Sequence, residues 1–258
     1  MRVILIRDPG HPGRAPALAA TLKAQGLETT VVDANDANAL APGDRAPVDD
    51  ATRRWLAERP LSDRAVARWL GHRRALIELV LNGPGAALIL EDTIVPAPTL
   101  AQAARALAQA GDDGHDRIVL LGEAGTVPAQ APRPLAVAPF ALARLNPLVG
   151  GDLPVVSGYA ITRRAAVRFL TNTPRLVRPF DQALARPWAT AVPVFALTPP
   201  VLEPAPEPAA PPEPTTPPYT EATALKWRLA RLLNQGLDRL RRRLGQPPDG
   251  EASGKGGA

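Results

Sequence analysis

Short apolar runs alternate with stretches of helical periodicity over the first 200 residues of the chain. The apolar runs predict β-strands, and turn-forming or acidic residues follow several of them. Strands are predicted at 2–6, 28–32, 86–91, 117–121, 155–161 and 192–197, and helices at 14–25, 49–59, 62–81, 100–110 and 163–170, with a short one from Phe180. This alternation predicts an α/β fold with a Rossmann-type, mostly parallel sheet that is flanked by helices.

The longest helical pattern covers residues 62–81. Ser62 can cap its first turn, and Gly83-Pro84 ends it. At helical spacing His72 falls on the apolar face of this helix rather than on the polar one. Two interpretations follow for His72: a core histidine bonded to a backbone carbonyl, or a buried histidine that orients a substrate or an acid.

Two adjacent carboxylates, Glu91 and Asp92, follow directly after the apolar run 86–90. Ligands of open α/β sheets bind at the carboxyl ends of the strands, so acids at this position are well placed to meet a ligand or a metal ion. The alternative is structural, because Asp92 and Thr93 can equally cap a following turn.

Composition excludes several kinds of site. The 258-residue chain has no cysteine, so it has no disulfide and no thiolate ligand, and its three histidines are too far apart for a helical zinc motif. Gly10 and Gly13 lack the spacing of a dinucleotide-binding turn, and Ser157 lacks the glycine pattern of a hydrolase nucleophile. The N-terminal apolar run is too short for a signal peptide, and no run is long enough to span a bilayer, which predicts a cytoplasmic protein.

The last quarter of the chain differs in character from the rest. Ten prolines lie between residues 199 and 218, which predicts an extended spacer. Leucines at helical spacing follow within 220–245, a segment with seven basic and two acidic side chains, whereas residues 1–220 carry a net charge of about +1. Such a basic amphipathic helix is typical of a membrane-surface element, and the alternatives are docking on the body or a partner and binding nucleic acid. The nearly neutral body argues against a nucleic-acid binder.

These patterns divide the chain into a body at 1–202, a proline-rich linker at 203–219, the amphipathic helix at 220–245 and a disordered tail at 246–258. In the body, the candidates for chemistry form a set that suits an anionic leaving group, with or without a metal ion. They are Arg14, Asp33, His72, Glu91, Asp92 and Asp181.

Four segments, in this order, resemble glycosyltransferase family 25, the lipooligosaccharide-type sugar transferases that share a domain with collagen galactosyltransferases. The resemblance covers residues 2–202. The segments are the first strand with Arg14, Val-Asp-Ala-Asn-Asp at 32–36, Leu-Gly-His-Arg-Arg-Ala at 70–75 leading to Ala-Leu-Ile-Leu-Glu-Asp-Thr-Ile at 87–94, and Gly-Tyr-Ala-Ile-Thr-Arg-Arg-Ala-Ala at 158–166 with Phe180-Asp181.

The resemblance implies a GT-A-like fold and inverting transfer of a sugar from a nucleotide-sugar donor to a lipooligosaccharide or other surface-glycan acceptor. It implies a divalent metal ion, Mn²⁺ or Mg²⁺, at the diphosphate, where strand-end carboxylates can hold it. The residue roles that it implies are Glu91 and Asp92 at the diphosphate and metal, Asp33 at the nucleoside, Arg14 at phosphate, Asp181 as base or second metal contact, and Gly158 and Tyr159 at the sugar. His72 is a substrate-binding candidate from its position on the helix. Structural alternatives are a solvated Arg14, a helix-capping Asp181 and a core-packing Tyr159. The helix at 220–245 would then hold the enzyme on the anionic inner face of the membrane, where lipid-linked acceptors lie.

The chain departs from the family pattern at two positions. Thr93 stands where the family has the third acid of its Glu-Asp-Asp motif, and Gly71 stands where it has serine. A threonine hydroxyl is a weaker metal ligand than a carboxylate, which leaves a second hypothesis open: a catalytically degenerate, transferase-like binding protein. A third hypothesis is a peripheral membrane or assembly protein whose function resides in the terminal helix.

Overall fold

A computed structural model describes residues 1–57, 59–111, 116–124, 129–145 and 155–205, and the single positions 229, 232, 233, 236, 237 and 240. The helices and strands of this part follow one another along the chain as β1 (Arg2–Arg7), α1 (Arg14–Ala24), β2 (Thr29–Asp33), α2 (Asp50–Leu56), α3 (Asp63–Asn82), β3 (Ala86–Glu91), β4 (Ile94–Pro96), α4 (Leu100–Gly111), β5 (Ile118–Leu120), β6 (Arg133–Pro134), β7 (Ala141–Arg144), β8 (Gly158–Thr162), α5 (Arg163–Asn172), α6 (Phe180–Leu184), α7 (Pro187–Thr190), β9 (Val194–Thr198) and β10 (Leu202–Pro204).

Eight of these strands form one central sheet in the order β2-β1-β3-β8-β5-β9-β7-β6, and β4 pairs with β10 in a separate ribbon. Strands β1, β2 and β3 are parallel to one another, and β5 is parallel to β9. Strand β8 runs antiparallel between β3 and β5, and β7 runs antiparallel to β9. The α/β prediction is confirmed, and the sheet is mixed, with six of its eight strands in one direction.

Each face of the sheet has its own hydrophobic core. Ile4 and Ile6 of β1 pack on one face with α3, α5 and α6, while Val3 and Leu5 pack on the other face with α1 and α4. Since successive side chains of a strand point to opposite faces, a strand that is covered on both sides needs an unbroken apolar run. This is why the first and third strands were recognisable in the sequence.

The first three strands contain a reversal of strand order. The chain passes from β1 through α1 to β2 on one side, and then returns through α3 to β3 on the other side of β1. Helices α1 and α3 therefore cover opposite faces, and the strand order reverses at β1 and β3. In open α/β sheets this switch point is the usual place for a ligand.

Helix α3 confirms the prediction for residues 62–81. The Ser62 hydroxyl accepts a hydrogen bond from the Ala65 amide at 3.2 Å, and the Gly83 amide closes the last turn on the Leu79 carbonyl. Gly71 lies close to the sheet, because a Cβ there would lie 3.1 Å from Ile6 and 3.2 Å from Ala34. Glycine at this position lets α3 approach β1 more closely than the family's serine would.

The packed chain continues past Pro199, where the extended spacer was predicted to begin, and past residue 203, the predicted start of the linker. Val201 and Leu202 are buried, and β10 pairs antiparallel with β4, so the packed chain continues through Pro204. The apolar side chains of Val201 and Leu202 add to the core beneath α4, which outweighs the local preference of proline for an open chain. The linker at 206–219 and the tail at 246–258 lie outside the described residues.

Six positions of the terminal amphipathic segment are described, and all six are helical. Their leucines are exposed by 48% to 69% and are Leu229, Leu232, Leu233, Leu237 and Leu240. The leucines of the apolar stripe are therefore accessible to solvent at these positions. Among the described residues no helix is long and apolar enough to cross a bilayer.

Candidate functional site

Arg68 of α3 connects two of the predicted site carboxylates. Its Nε donates to Glu91 Oε1 at 2.6 Å, and its Nη1 donates to Asp181 Oδ2 at 2.5 Å. Its Nη2 donates to the Val156 carbonyl at 2.9 Å, and the Val156 amide donates in turn to Asp181 Oδ1 at 2.9 Å. One guanidinium thus links the end of β3 to the start of α6 and to the segment that enters β8.

His72 lies one helical turn after Arg68 and is completely buried. Its Nε2 is 2.8 Å from Glu91 Oε1, its Nδ1 is 3.4 Å from the Tyr159 hydroxyl, and its ring stacks on Phe180 with centroids 3.8 Å apart. Burial lowers the pKa of His72, in spite of the opposing Glu91 carboxylate. A neutral ring satisfies both contacts when Nε2–H donates to Glu91 and Nδ1 accepts from Tyr159. The structure therefore supports the interpretation in which His72 orients an acid.

The ionisation of Glu91 follows from these two partners. Burial alone would raise the pKa of Glu91, but the Arg68 charge and the His72 hydrogen bond outweigh it and lower the pKa to about 2. Burial also raises the pKa of Tyr159, so its hydroxyl stays protonated as a donor. With this pKa the Glu91 carboxylate is charged at neutral pH and is a weak base. Its contacts with Arg68 and His72 are those of a buried ion pair.

Asp92 belongs to a different environment from that of Glu91. Its Oδ2 accepts a hydrogen bond from the Asp8 amide at 3.0 Å, and its own amide donates to the Ile6 carbonyl at 3.1 Å. The residue is only 4% exposed. Burial raises the pKa of Asp92, while the Asp8 amide and the Arg14 charge act against this. Asp92 thus joins the exits of β1 and β3 at the switch point.

A charged rim surrounds this junction. Arg7 and Asp33 are register partners on β1 and β2, and Arg7 Nε donates to Asp33 Oδ1 at 2.6 Å on the surface. In the turn after β1, Asp8 accepts from the Gly10 amide at 2.9 Å and lies 3.0 Å from His11 Nδ1. Of the predicted set, Arg14, Asp33 and Asp92 come together at this edge.

His72, Glu91 and Asp181, which were also predicted, form a network around Arg68 next to this edge. Arg68 itself was not among the predicted site residues. Arg68 and His72 are four residues apart, so they share one face of α3. A charged residue on an apolar stripe is a usable signal of a buried ion pair, but the sequence does not say which acid pairs with it.

Gly158 and Tyr159 have packing roles in the described structure. A Cβ on Gly158 would overlap the Leu202 side chain and approach Leu90 Cδ2 to 3.0 Å. Tyr159 is fully buried among His72 and Phe180. Their contact with a sugar stays a prediction.

The carboxylates at this edge do not fit a metal site in the arrangement observed. Glu91 and Asp181 are engaged by Arg68, Asp92 is engaged by the Asp8 amide, and Thr93 contributes only a hydroxyl, 3.4 Å from Glu91 Oε2. Within the described part of the chain no three His, Asp or Glu residues are grouped to hold an ion. Divalent cations need several oxygen ligands at once, so the metal role of Asp92 stays a prediction and no step below passes through a metal.

Comparison with known proteins adds no further restriction on this site. No family model matches the chain, and no curated protein matches it.

Proposed function

We propose that this protein is a glycosyltransferase-like protein with a GT-A-type body that binds a nucleotide-sugar donor in the crevice at the carboxyl ends of β1 and β3. The observation that carries the proposal is the hydrogen bond of 3.0 Å between the Asp8 amide and Asp92, because it lies at the reversal of strand order. This is the place where open α/β sheets bind nucleotides.

Two arginines and a helix start lie at this edge, beside the carboxylates of Asp8, Asp33 and Asp92, and could contact the phosphates of a diphosphate. Arg7 and Arg14 lie on the same edge, and α1 begins there with its positive dipole end. Gly13, which precedes α1, makes no side-chain cap, and the first turn contains no acidic residue. Backbone amides at such a helix start can donate to phosphate oxygens.

In this proposal the carboxylates of Glu91 and Asp181 have a structural role, and that of Asp92 positions the donor. Glu91 and Asp181 stay paired with Arg68 and maintain the packing of α3 and α6 against the sheet. Asp92 positions the turn after β1 through the Asp8 amide, and it is a positioning residue for the donor. An inverting transfer also needs a base that accepts the proton of the acceptor hydroxyl as the bond to the diphosphate breaks. A pKa of about 2 makes Glu91 a poor base for that proton.

Calorimetric titration with uridine diphosphate and a series of sugar nucleotides, with and without Mn²⁺, tests the proposal. We expect binding of at least one nucleotide, and we expect Asp92→Ala to weaken it by about tenfold, the cost of a disordered phosphate-binding turn. Glu28→Gln is the matched control, since Glu28 is exposed at the opposite end of β2. Absence of binding by every nucleotide would refute the proposal.

A second candidate is a transferase-like binding protein without turnover. Two observations favour it: Arg68 pairs with both Glu91 and Asp181, and Thr93 stands where the resembling family has an acid. Product formation by the wild-type protein would exclude this candidate. This candidate would be established if the wild-type protein bound nucleotide without forming product and the Thr93→Asp variant formed product.

The exposed leucine stripe supports a location at an anionic membrane surface, where a lipid-linked acceptor lies. Five leucines at described helical positions of the terminal segment are exposed by 48% to 69%, and the same segment is strongly basic in sequence. Apolar burial and attraction to anionic lipid add together in such helices. In flotation with vesicles of phosphatidylglycerol, we expect the full chain to float and a chain that ends at residue 219 to stay behind. Equal flotation with uncharged phosphatidylcholine vesicles would argue against this location.

A further inference from the structure

A second polar cleft lies at the edge of the sheet opposite to the Asp92 crevice. It has a volume of about 630 Å³ and opens where β5 and β9 begin and β7 ends. Its charged lining consists of Asp116, Arg117, Arg133, Arg144, Arg164 and Arg168. Cavities of this size commonly accept small molecules.

The positive charges of the cleft exceed its negative charge. Asp116 is the one acid among its described lining residues, and it pairs with Arg168 at 2.8 Å and with Arg164 at 3.3 Å. Within the described residues, the side chains of Arg133 and Arg144 have no acidic partner. Like charges gathered around one space repel each other unless a counter-ion lies between them. Arg133 and Arg144 therefore leave a concave surface that favours an anion.

Asp116 adds a second kind of contact. Its side chain is only 7% exposed, and its buried Oδ1 makes no hydrogen bond within the described residues. The ion pair with Arg164 at 3.3 Å does not satisfy this oxygen as an acceptor, and Asp116 lines the cleft. A ligand hydroxyl is a donor that would satisfy it.

The remaining wall is apolar. Leu142, Leu135 and Phe195 line it, and Arg144 is the register partner of Phe195 on the neighbouring strands β7 and β9. Guanidinium groups next to an apolar wall suit a compact ligand that carries both a phosphate and a carbon ring.

We propose that this cleft is a binding site for a phosphorylated sugar, with Arg133 and Arg144 holding the phosphate and Asp116 accepting a sugar hydroxyl. Arginine binds phosphate through two parallel N–H donors, which gives direction as well as charge. The site is independent of the nucleotide crevice, since the two lie at opposite ends of the strands.

Titration of the full chain with glucose 1-phosphate, inorganic phosphate and glucose tests this site. We expect glucose 1-phosphate to bind more tightly than inorganic phosphate, glucose not to bind, and added salt to weaken binding. In the double variant Arg133→Gln/Arg144→Gln, the affinity for glucose 1-phosphate falls by at least about tenfold, as for the loss of charge-assisted hydrogen bonds. Arg105→Gln, an exposed arginine of α4 outside the cleft, changes it less than about twofold.

A parallel measurement distinguishes a free sugar phosphate from a lipid headgroup with the same chemistry. Binding to vesicles that contain phosphatidylinositol phosphate is measured for the wild-type protein and for the double variant. Both proteins end at residue 219, so that the terminal helix does not contribute to vesicle binding. Vesicle binding that is lost in the double variant, without binding of glucose 1-phosphate, assigns the site to a phosphorylated lipid headgroup. Binding that the double variant leaves unchanged, or no binding of any phosphate probe, overturns the proposal. Equal thermal unfolding of the two proteins shows that the variant is folded.

Discussion

Arg68 and Asp181 lie 113 residues apart in the chain, yet Nη1 of the arginine is 2.5 Å from Oδ2 of the aspartate. The same guanidinium reaches Glu91, so one cation compensates two carboxylates that are largely shielded from water. Residues that resemble catalytic acids are therefore part of the connection between α3, β3 and α6. Substitutions at and around these residues can separate a structural role from a role in ligand binding.

Replacement of Arg68 by methionine should destabilise the protein by about 3–5 kcal/mol, because two buried carboxylates lose their counter-ion. Urea unfolding followed by circular dichroism measures this change. Arg64→Met is the matched control on the same helix, since Arg64 is exposed, and it should stay within about 0.5 kcal/mol of wild type. Equal stability of the two variants would contradict the structural role of Arg68.

Replacement of Glu91 by glutamine should change how stability depends on pH. The folded state lowers the pKa of Glu91 from 4.5 to about 2, so its ionised form stabilises the fold above about pH 4.5. That contribution, on the order of 3 kcal/mol, is lost as the pH falls through 2. The stability difference between wild type and Glu91→Gln should therefore be largest near pH 6 and shrink below pH 4.5. Urea unfolding at several pH values measures it, and a difference that grows in acid would contradict the assignment.

Replacement of Asp92 by alanine should loosen the turn after β1. The Asp8 amide loses its acceptor at 3.0 Å, so its hydrogen exchange should speed up by about tenfold or more. Exchange measured by nuclear magnetic resonance reports on this amide. The Leu5 amide in the middle of β1 is an internal reference and should keep its protection. Unchanged exchange at Asp8 would show that Asp92 does not hold this turn.

Replacement of Gly158 by alanine should destabilise the protein by about 1–3 kcal/mol, because the new methyl group overlaps Leu202 and crowds Leu90. Thermal unfolding measures the effect. Gly85→Ala is the control, since a Cβ there has no neighbour within 4 Å. If Gly158→Ala were as stable as wild type and lost only ligand binding, the glycine would serve a ligand rather than the packing of β8.

Local sequence patterns predicted most of the body. Helix α3 has a serine cap, a long apolar stripe and a glycine stop, and each of these signals depends on residues within one or two turns. Strands β4, β6, β7 and β10 were not predicted. They are two to four residues long, too short for an alternating pattern to stand out.

For the candidate site, the sequence predicted several of the residues but not the contacts between them. Glu91 and Asp92 are adjacent at a strand end, and both were singled out, but one faces Arg68 and His72 while the other meets the Asp8 amide. Alternation along an extended chain predicts that two neighbours diverge. It does not predict which partners each of them meets.

The sequence by itself determined where the longer strands and helices form, which faces are apolar, and that acids follow the third strand, because these properties arise between residues close along the chain. Only the tertiary structure decided that β8 runs antiparallel between β3 and β5, that Arg68 reaches Asp181, and that arginines of β6, β7 and α5 meet in one cleft. Those arrangements depend on the packing of segments far apart in the chain, where the energy of burying whole faces outweighs the preference of any single residue.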